Sequence, residues 1–173
     1  ATVSPGVVRD AMRQWRAATR ELGMPLHCHY SGIWDAAAGA KHPDWALRGP
    51  TGNPMGAPGE TSGKLTDKRM CPRSPYLDKL MLPQMKELID RYQVDGFWVD
   101  GDLWATEPCY CGRCRAAWTA ATGIAKPPAD EKDPNWARWW NFTRESFEAY
   151  VTRYCDAIHA HKPGVLVCSN WLQ

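Results

Sequence analysis

Apolar positions along this chain switch between helical spacing and short continuous runs, and three times a helical stretch leads into such a run. The first stretch offers Ser4 as N-cap and Pro5 at the first helical position, then sets Val8, Met12, Trp15 and Leu22 on one stripe. Gly23 and Pro25 end it. The run Leu26-His-Cys-His-Tyr30 is too short for a helix and reads as a buried strand. From Ser31 to about Met70 the pattern dissolves into Gly, Pro, Thr and Lys. A connection of that length inside a compact domain is usually functional or disordered, and Trp34, His42 and Trp45 point to function.

Ser74-Pro75 repeats the cap signature, and Leu77, Leu80, Met81, Leu88 and Tyr92 mark a second amphipathic helix. Pro83 inside it should bend the helix or delay its start. Val94-Asp-Gly-Phe-Trp-Val-Asp100 has the β-branched and aromatic content of a strand and ends on a carboxylate. The third unit brings a short helix near Arg115 to Thr122, a Pro-rich link and a cap at Asp133-Pro134. Trp136, Trp140, Phe147, Tyr150, Tyr154 and Ile158 then recur at helical intervals to about His161, a stripe expected to face the sheet. Val165-Leu-Val-Cys-Ser169 is a third apolar strand, closed by Asn170 and Trp171.

Helices alternating with near-continuous apolar strands predict an α/β fold with a parallel sheet. No Gly-x-Gly-x-x-Gly follows a strand and no Walker-type Gly-Lys-Ser/Thr occurs, which speaks against a doubly wound nucleotide-binding fold. A (β/α)8 TIM-type barrel fits better. A full barrel takes about 250 residues, so the 173 residues, read as a single domain over 1–173, supply about three of its units. The remainder is expected on flanking sequence.

Charge narrows the partners. Lys and Arg outnumber Asp and Glu by 21 to 19, too even a balance for a broad phosphate-gripping field, so nucleic acid is not expected. No stretch approaches about 18 consecutive apolar residues, and no leader pattern is visible, so no membrane partner is expected either. The compartment stays open, secreted or periplasmic sites included. Ten Trp form a heavy load of flat apolar surface, suited to cores and to sugar-binding clefts alike.

In a parallel barrel the chemistry sits at the C-terminal strand ends, which singles out His29, Asp100, Asp102 and Asn170. Asp100, followed by Gly101, presents a carboxylate with space for a substrate; a turn or cap role is the alternative. Glycoside hydrolysis generally needs a second carboxyl group, for which Asp102, Glu107, Glu60 and Asp35 are candidates. His27 and His29 alternate around Cys28 and so share one face. With Tyr30 and Trp34 nearby they suit a sugar-hydroxyl-binding wall, core hydrogen bonding being the alternative. As metal ligands they lack an identifiable third partner.

Cys109-Tyr-Cys111-Gly-Arg-Cys114 has the close spacing of a metal site, and Cys71 is the natural fourth ligand. Four thiolates would hold a structural zinc with no position open for water; disulfides or free thiols are the alternatives. Cys28, Cys155 and Cys168 lie on apolar segments and read as buried thiols. No organic cofactor is expected.

His27-Cys-His-Tyr-Ser-Gly-Ile-Trp34, and the helix from Leu80 to Tyr92 leading into Asp95-Gly-Phe-Trp-Val-Asp-Gly101, resemble the catalytic barrel of the α-L-fucosidase family and its glycosidase-like relatives. That resemblance implies a retaining glycoside hydrolase with Asp100 as nucleophile, and matches Tyr30, Ser31 and Trp34 to a second family motif. Cys71-Pro-Arg-Ser-Pro75 with the downstream cysteines is similar to the four-cysteine zinc site of one family of microbial β-galactosidases. There the strand ends in Asn-Glu, whereas Gly101-Asp102 stands here, which favours Asp100 and leaves Asp102 as the fallback catalytic residue. The expected carbohydrate site is lined by His27, His29, Tyr30, Trp34 and Trp104, with Asn170 and Trp171 from the third strand. A barrel that binds carbohydrate without cleaving it, a β-galactosidase-like enzyme and a zinc-dependent hydrolase using His27 and His29 are the competing readings.

Overall fold

The computed structural model describes residues 9–55, 69–100 and 106–169. The elements run α1 (Ala11–Glu21), β1 (His27–Tyr30), α2 (Ala36–Lys41), a 3-10 turn (Pro43–Trp45), a π-helical turn (Leu77–Met81), α3 (Leu82–Tyr92), β2 (Gly96–Val99), α4 (Gly112–Thr122), α5 (Trp136–His161) and β3 (Leu166–Ser169). The strands form one parallel sheet in the order β1-β2-β3. His27, Gly96 and Leu166 stand in one row, and Tyr30, Val99 and Ser169 in another. The α/β class and the parallel sheet follow the alternation read from the sequence.

One face of the sheet is covered. Phe97 and Val99 are buried in a core with Met81, Met85 and Ile89 from the α3 segment and Phe147, Tyr150, Tyr154 and Ile158 from α5. Burying such apolar side chains is worth about 2 kcal/mol each, so the helical layer, rather than the four-residue strands, supplies most of the cohesion. The other face carries His27, His29, Leu166 and Cys168, with Trp98 still 49% exposed. Cys168 is therefore an exposed thiol rather than a buried one, and Cys28 and Cys155 are half-buried. Alternation along the strand puts Cys168 on the uncovered face.

Three details depart from the sequence pattern for local reasons. The Ser4 cap and Val8 lie outside the described residues; α1 starts at Ala11, where the Asp10 carboxylate accepts the Arg13 backbone N–H at 3.1 Å. Of its predicted stripe Met12 packs partly buried against the core, whereas Trp15 is 65% and Leu22 70% exposed. Polar contacts fasten this helix instead: the Arg16 guanidinium donates to the Asp95 carboxylate at 2.6 Å and to the Gln93 carbonyl at 2.8 Å. In the second helix Ser74 Oγ accepts the Tyr76 N–H as expected. Pro83 sits in the first turn of α3, and the chain before it is wound as the π-helical turn, after which the Leu82 N–H donates to the Leu77 carbonyl. On α5 the buried indole is Trp139, with Trp136 and Trp140 only half-buried.

The described part of the long connection after β1 has structure of its own. It includes α2, and it folds back through antiparallel bridges Trp34 to Arg69, Ala46 to Met70 and Arg48 to Pro54. Trp45 is buried and stacks on His42 with ring centroids 3.8 Å apart, which makes both packing groups.

Candidate active site and four-cysteine centre

The loop after β1 and the end of β2 are built against each other. Asp100 donates its backbone N–H to the Tyr30 carbonyl at 2.7 Å, continuing the ladder one residue past the strand. Ser169 Oγ donates to the Val99 carbonyl at 2.5 Å from the other side. Gly32 turns the chain with φ +57°, so close to β2 that a Cβ there would lie 2.2 Å from the Asp100 carbonyl oxygen. Only glycine tolerates both demands at once. Tyr76 locks the same turn by donating to the Gly32 carbonyl at 3.1 Å and to Asp35 at 3.2 Å. Burial holds the Tyr76 phenol far above its ordinary range, so it stays a donor.

His29 Nε2 stands 3.4 Å from Asp100 Oδ2, and both side chains are open, 61% and 43% exposed. His27 shares the His29 face. Tyr30 points elsewhere: its hydroxyl donates to Gln84 Oε1 on α3 and its ring joins the helical core. Burial also pushes the Tyr30 phenol upward. The alternation that pairs the two histidines sends Tyr30, expected at the sugar wall, to the opposite face.

Of the other carboxylates, Asp35 is consumed as the cap of α2, accepting the Ala38 N–H at 2.7 Å, and as the acceptor for Tyr76. Glu107 Oε2 accepts from the Arg69 guanidinium at 2.7 Å. Arg69 is 0% exposed, and its guanidinium carbon lies 5.5 Å from the Trp34 ring centroid, in cation–π range. Sequence reasoning missed Arg69, although a signal existed: it precedes Cys71 by two residues just as Glu107 precedes Cys109. Asp102, Trp104, Glu60, Asn170 and Trp171 lie outside the described residues.

Cys71, Cys109, Cys111 and Cys114 come together, all buried, with their sulfur atoms within 4.8 Å of one another. Cys71 Sγ approaches Cys114 Sγ at 3.4 Å and Cys111 Sγ at 3.7 Å, far beyond a disulfide bond. Thiols of Cys109, Cys114 and Cys71 donating to Cys111 hold its sulfur well below the usual thiol range. Cys71 and Cys114 are pushed above it, first by their contacts with Cys109 and then by those with Cys111. Four sulfurs this close cannot all be anionic without a cation among them. Tyr110, Trp118 and Trp139 wall the cluster, the two indoles edge to face with centroids 5.1 Å apart. The group could hold a metal ion. Among the described residues, His27 and His29 belong to no group of three or more ligating side chains.

The sequence model of the alpha-L-fucosidase family matches residues 1–169. The structure is similar to alpha-L-fucosidase isoenzyme 2 from Paenibacillus thiaminolyticus, with TM-score 0.74 and 25% identity over 96% of this chain and 23% of that one. The alpha-galactosidase from Lactobacillus brevis aligns at TM-score 0.59 and 13% identity, covering 96% of this chain and 19% of that one. An alpha-galactosidase from Geobacillus stearothermophilus aligns at TM-score 0.54 and 14% identity, covering 91% and 19%. These two show likeness of fold alone. No curated protein matches the chain. The chain thus spans less than a quarter of the length of these solved structures. With the family match running from the first helix to the end of β3, the chain belongs to the alpha-L-fucosidase family.

Proposed function

We propose that this chain is the part of a (β/α)8 TIM-type barrel that carries the nucleophile of a retaining glycoside hydrolase acting on α-L-fucosides. The observation that carries this reading is Asp100. It is an open carboxylate at the end of the central parallel strand, beside His29, in a chain of the alpha-L-fucosidase family. The uncovered sheet face, with Trp98 and the histidines on it, supports the barrel reading, because barrel strands bury both faces.

In this reading the Asp100 carboxylate attacks the anomeric carbon, the bond to the leaving oxygen breaks, and a carboxylic acid gives that oxygen its proton. Water then cleaves the glycosyl ester, the same acid having become the base. His29 and His27 face the sugar hydroxyls, and Trp34 offers a stacking surface. Asp35 and Glu107 are already engaged, so of the four carboxylates singled out in the sequence Asp102 and Glu60, both outside the described residues, remain the candidates for the acid/base role. Trp104, Asn170 and Trp171, which lie outside the described residues, are assigned to this wall from their place after the strands in the sequence.

The four cysteines suit zinc. A Zn–S bond of about 2.3 Å gives a tetrahedron with edges of about 3.8 Å, close to the 3.4 and 3.7 Å separations from Cys71. Bound by four thiolates, the ion supplies cross-linking and no open coordination position.

Hydrolysis of aryl α-L-fucoside and aryl β-D-galactoside by the full-length protein and its Asp100→Asn variant is the test. Release from the fucoside that falls by several orders of magnitude in the variant supports the reading. Activity indifferent to the change moves the nucleophile to Asp102. Silence of the parent protein on every aryl glycoside favours a barrel that only binds carbohydrate.

A further inference from the structure

The two arms of the four-cysteine centre carry the Arg69–Glu107 pair at matched offsets. Arg69 lies two residues before Cys71, and Glu107 two residues before Cys109. Each arm is also tied into the loop after β1. Met70 donates its N–H to the Ile33 carbonyl at 2.7 Å, the Arg69 carbonyl accepts from Leu47 at 2.8 Å, and Cys71 donates to Trp45 at 2.8 Å. On the Cys109 side, the Arg48 N–H donates to Cys109 Sγ at 3.4 Å. Arg69 thus sits between the thiol cluster and Trp34, which is two residues from the Gly32 turn against Asp100.

A buried guanidinium that donates to a carboxylate and lies over an indole face holds both partners, because its plane must serve the hydrogen bond to Glu107 and the ring contact on Trp34 together. Neither feature makes Arg69 a reacting group, since it is fully buried. Its reach is toward Trp34, two residues from the Gly32 turn that abuts the Asp100 carbonyl.

We infer that Arg69 is a positioning residue, which couples the four-cysteine centre to the sugar site by holding Trp34 and Glu107 in place. This rests on the glycosidase reading and deepens it: the centre shapes substrate binding as well as stiffening the fold. The coupling works in both directions. Zinc among the cysteines steadies the Arg69 and Glu107 arms, and the ion pair in turn braces Cys71 and Cys109.

The test uses the full-length, zinc-loaded protein with Arg69→Lys and Arg69→Met. Lysine keeps the charge but loses the planar guanidinium that reaches Glu107 and Trp34 together, so it separates geometry from charge and is the variant more apt to fold. Steady-state hydrolysis of an aryl α-L-fucoside should show KM raised about tenfold in Arg69→Lys, with kcat changed less. Transfer of zinc to a chromogenic chelator should be several-fold faster than in the parent, and faster still in Arg69→Met. A parent protein silent on all aryl glycosides overturns the glycosidase reading, and the sugar-site half of the inference with it. An active parent with unchanged KM in folded Arg69→Lys overturns the inference alone. Unchanged zinc transfer in both variants refutes the link to the cysteine centre whatever the activity.

Discussion

Replacing Gly32 by Ala tests how the end of β2 is placed. The added Cβ would stand 2.2 Å from the Asp100 carbonyl oxygen and 3.3 Å from Val99 Cγ1. An ordinary carbon–oxygen contact is about 3.3–3.6 Å, so the turn and the strand end must part by about 1 Å. Two costs follow, and they can be separated. Holding Ala at φ +57° costs about 1–2 kcal/mol for its left-handed backbone, whatever the surroundings. Displacing Asp100 by about 1 Å costs on the order of a hundredfold in rate if it is the nucleophile. Gly23 supplies the control, since it has φ +64° and nothing within 4 Å of an added Cβ. Gly23→Ala should therefore lower stability by about 1 kcal/mol in denaturant titration and leave hydrolysis of aryl α-L-fucoside intact. Gly32→Ala should lose more stability and about a hundredfold in kcat/KM. Equal behaviour of the two variants in both assays would refute the argument that this turn sets the position of Asp100.

Other expectations are narrower. Cys71→Ser should abolish stoichiometric zinc in elemental analysis of the purified protein; full retention would show that Cys71 is no ligand. Glu107→Ala, by stripping the buried guanidinium of a partner at 2.7 Å, should destabilise by about 3 kcal/mol in the denaturation midpoint, against almost nothing for Asp44→Ala, whose pair with Arg113 is exposed. Tyr30 and Tyr76 have phenol pKa values raised by burial, so their contribution is complete below the unfolded value of about 10 and is lost as pH rises through the folded values. Stability should therefore fall above about pH 10, and Tyr30→Phe should blunt that fall; a flat profile to pH 12 contradicts it. Asp95 has the opposite sign: the Leu26 N–H first, and then Arg16, hold its carboxylate below the usual range. Its share is present above the unfolded value of about 3.9 and is lost on acidification, so Asp95→Asn should flatten the acid limb of the stability curve.

Local signals in the chain were enough to read the three strands, the helices α1 and α3 to α5 in their order, and the thiol cluster. Each depends on signals local in the chain: helical spacing that gives way to apolar runs, caps such as Ser74, and cysteines two and three residues apart. Even the long-range choice of Cys71 was legible, because it opens the helix that leads into the strand before the cluster and so returns to the same end of the sheet. Tertiary structure alone decided which faces are used. Trp15 and Trp139 are equally apolar on paper, yet one is open and the other buried, because α1 is held by Arg16 whereas the start of α5 packs Trp139 against Tyr110, Trp118 and the thiol cluster. Tyr30 belongs with His29 in sequence, but one step of strand alternation turns it to Gln84. Glu107 and Asp35 were equal candidates for the second carboxylate until packing gave each a partner, Arg69 for one and a helix cap with Tyr76 for the other. Arg69 itself was missed for the same reason, although its offset from Cys71 matches that of Glu107 from Cys109. Pattern records how often a residue type is buried, whereas the contacts that make a buried charge tolerable join positions 38 residues apart.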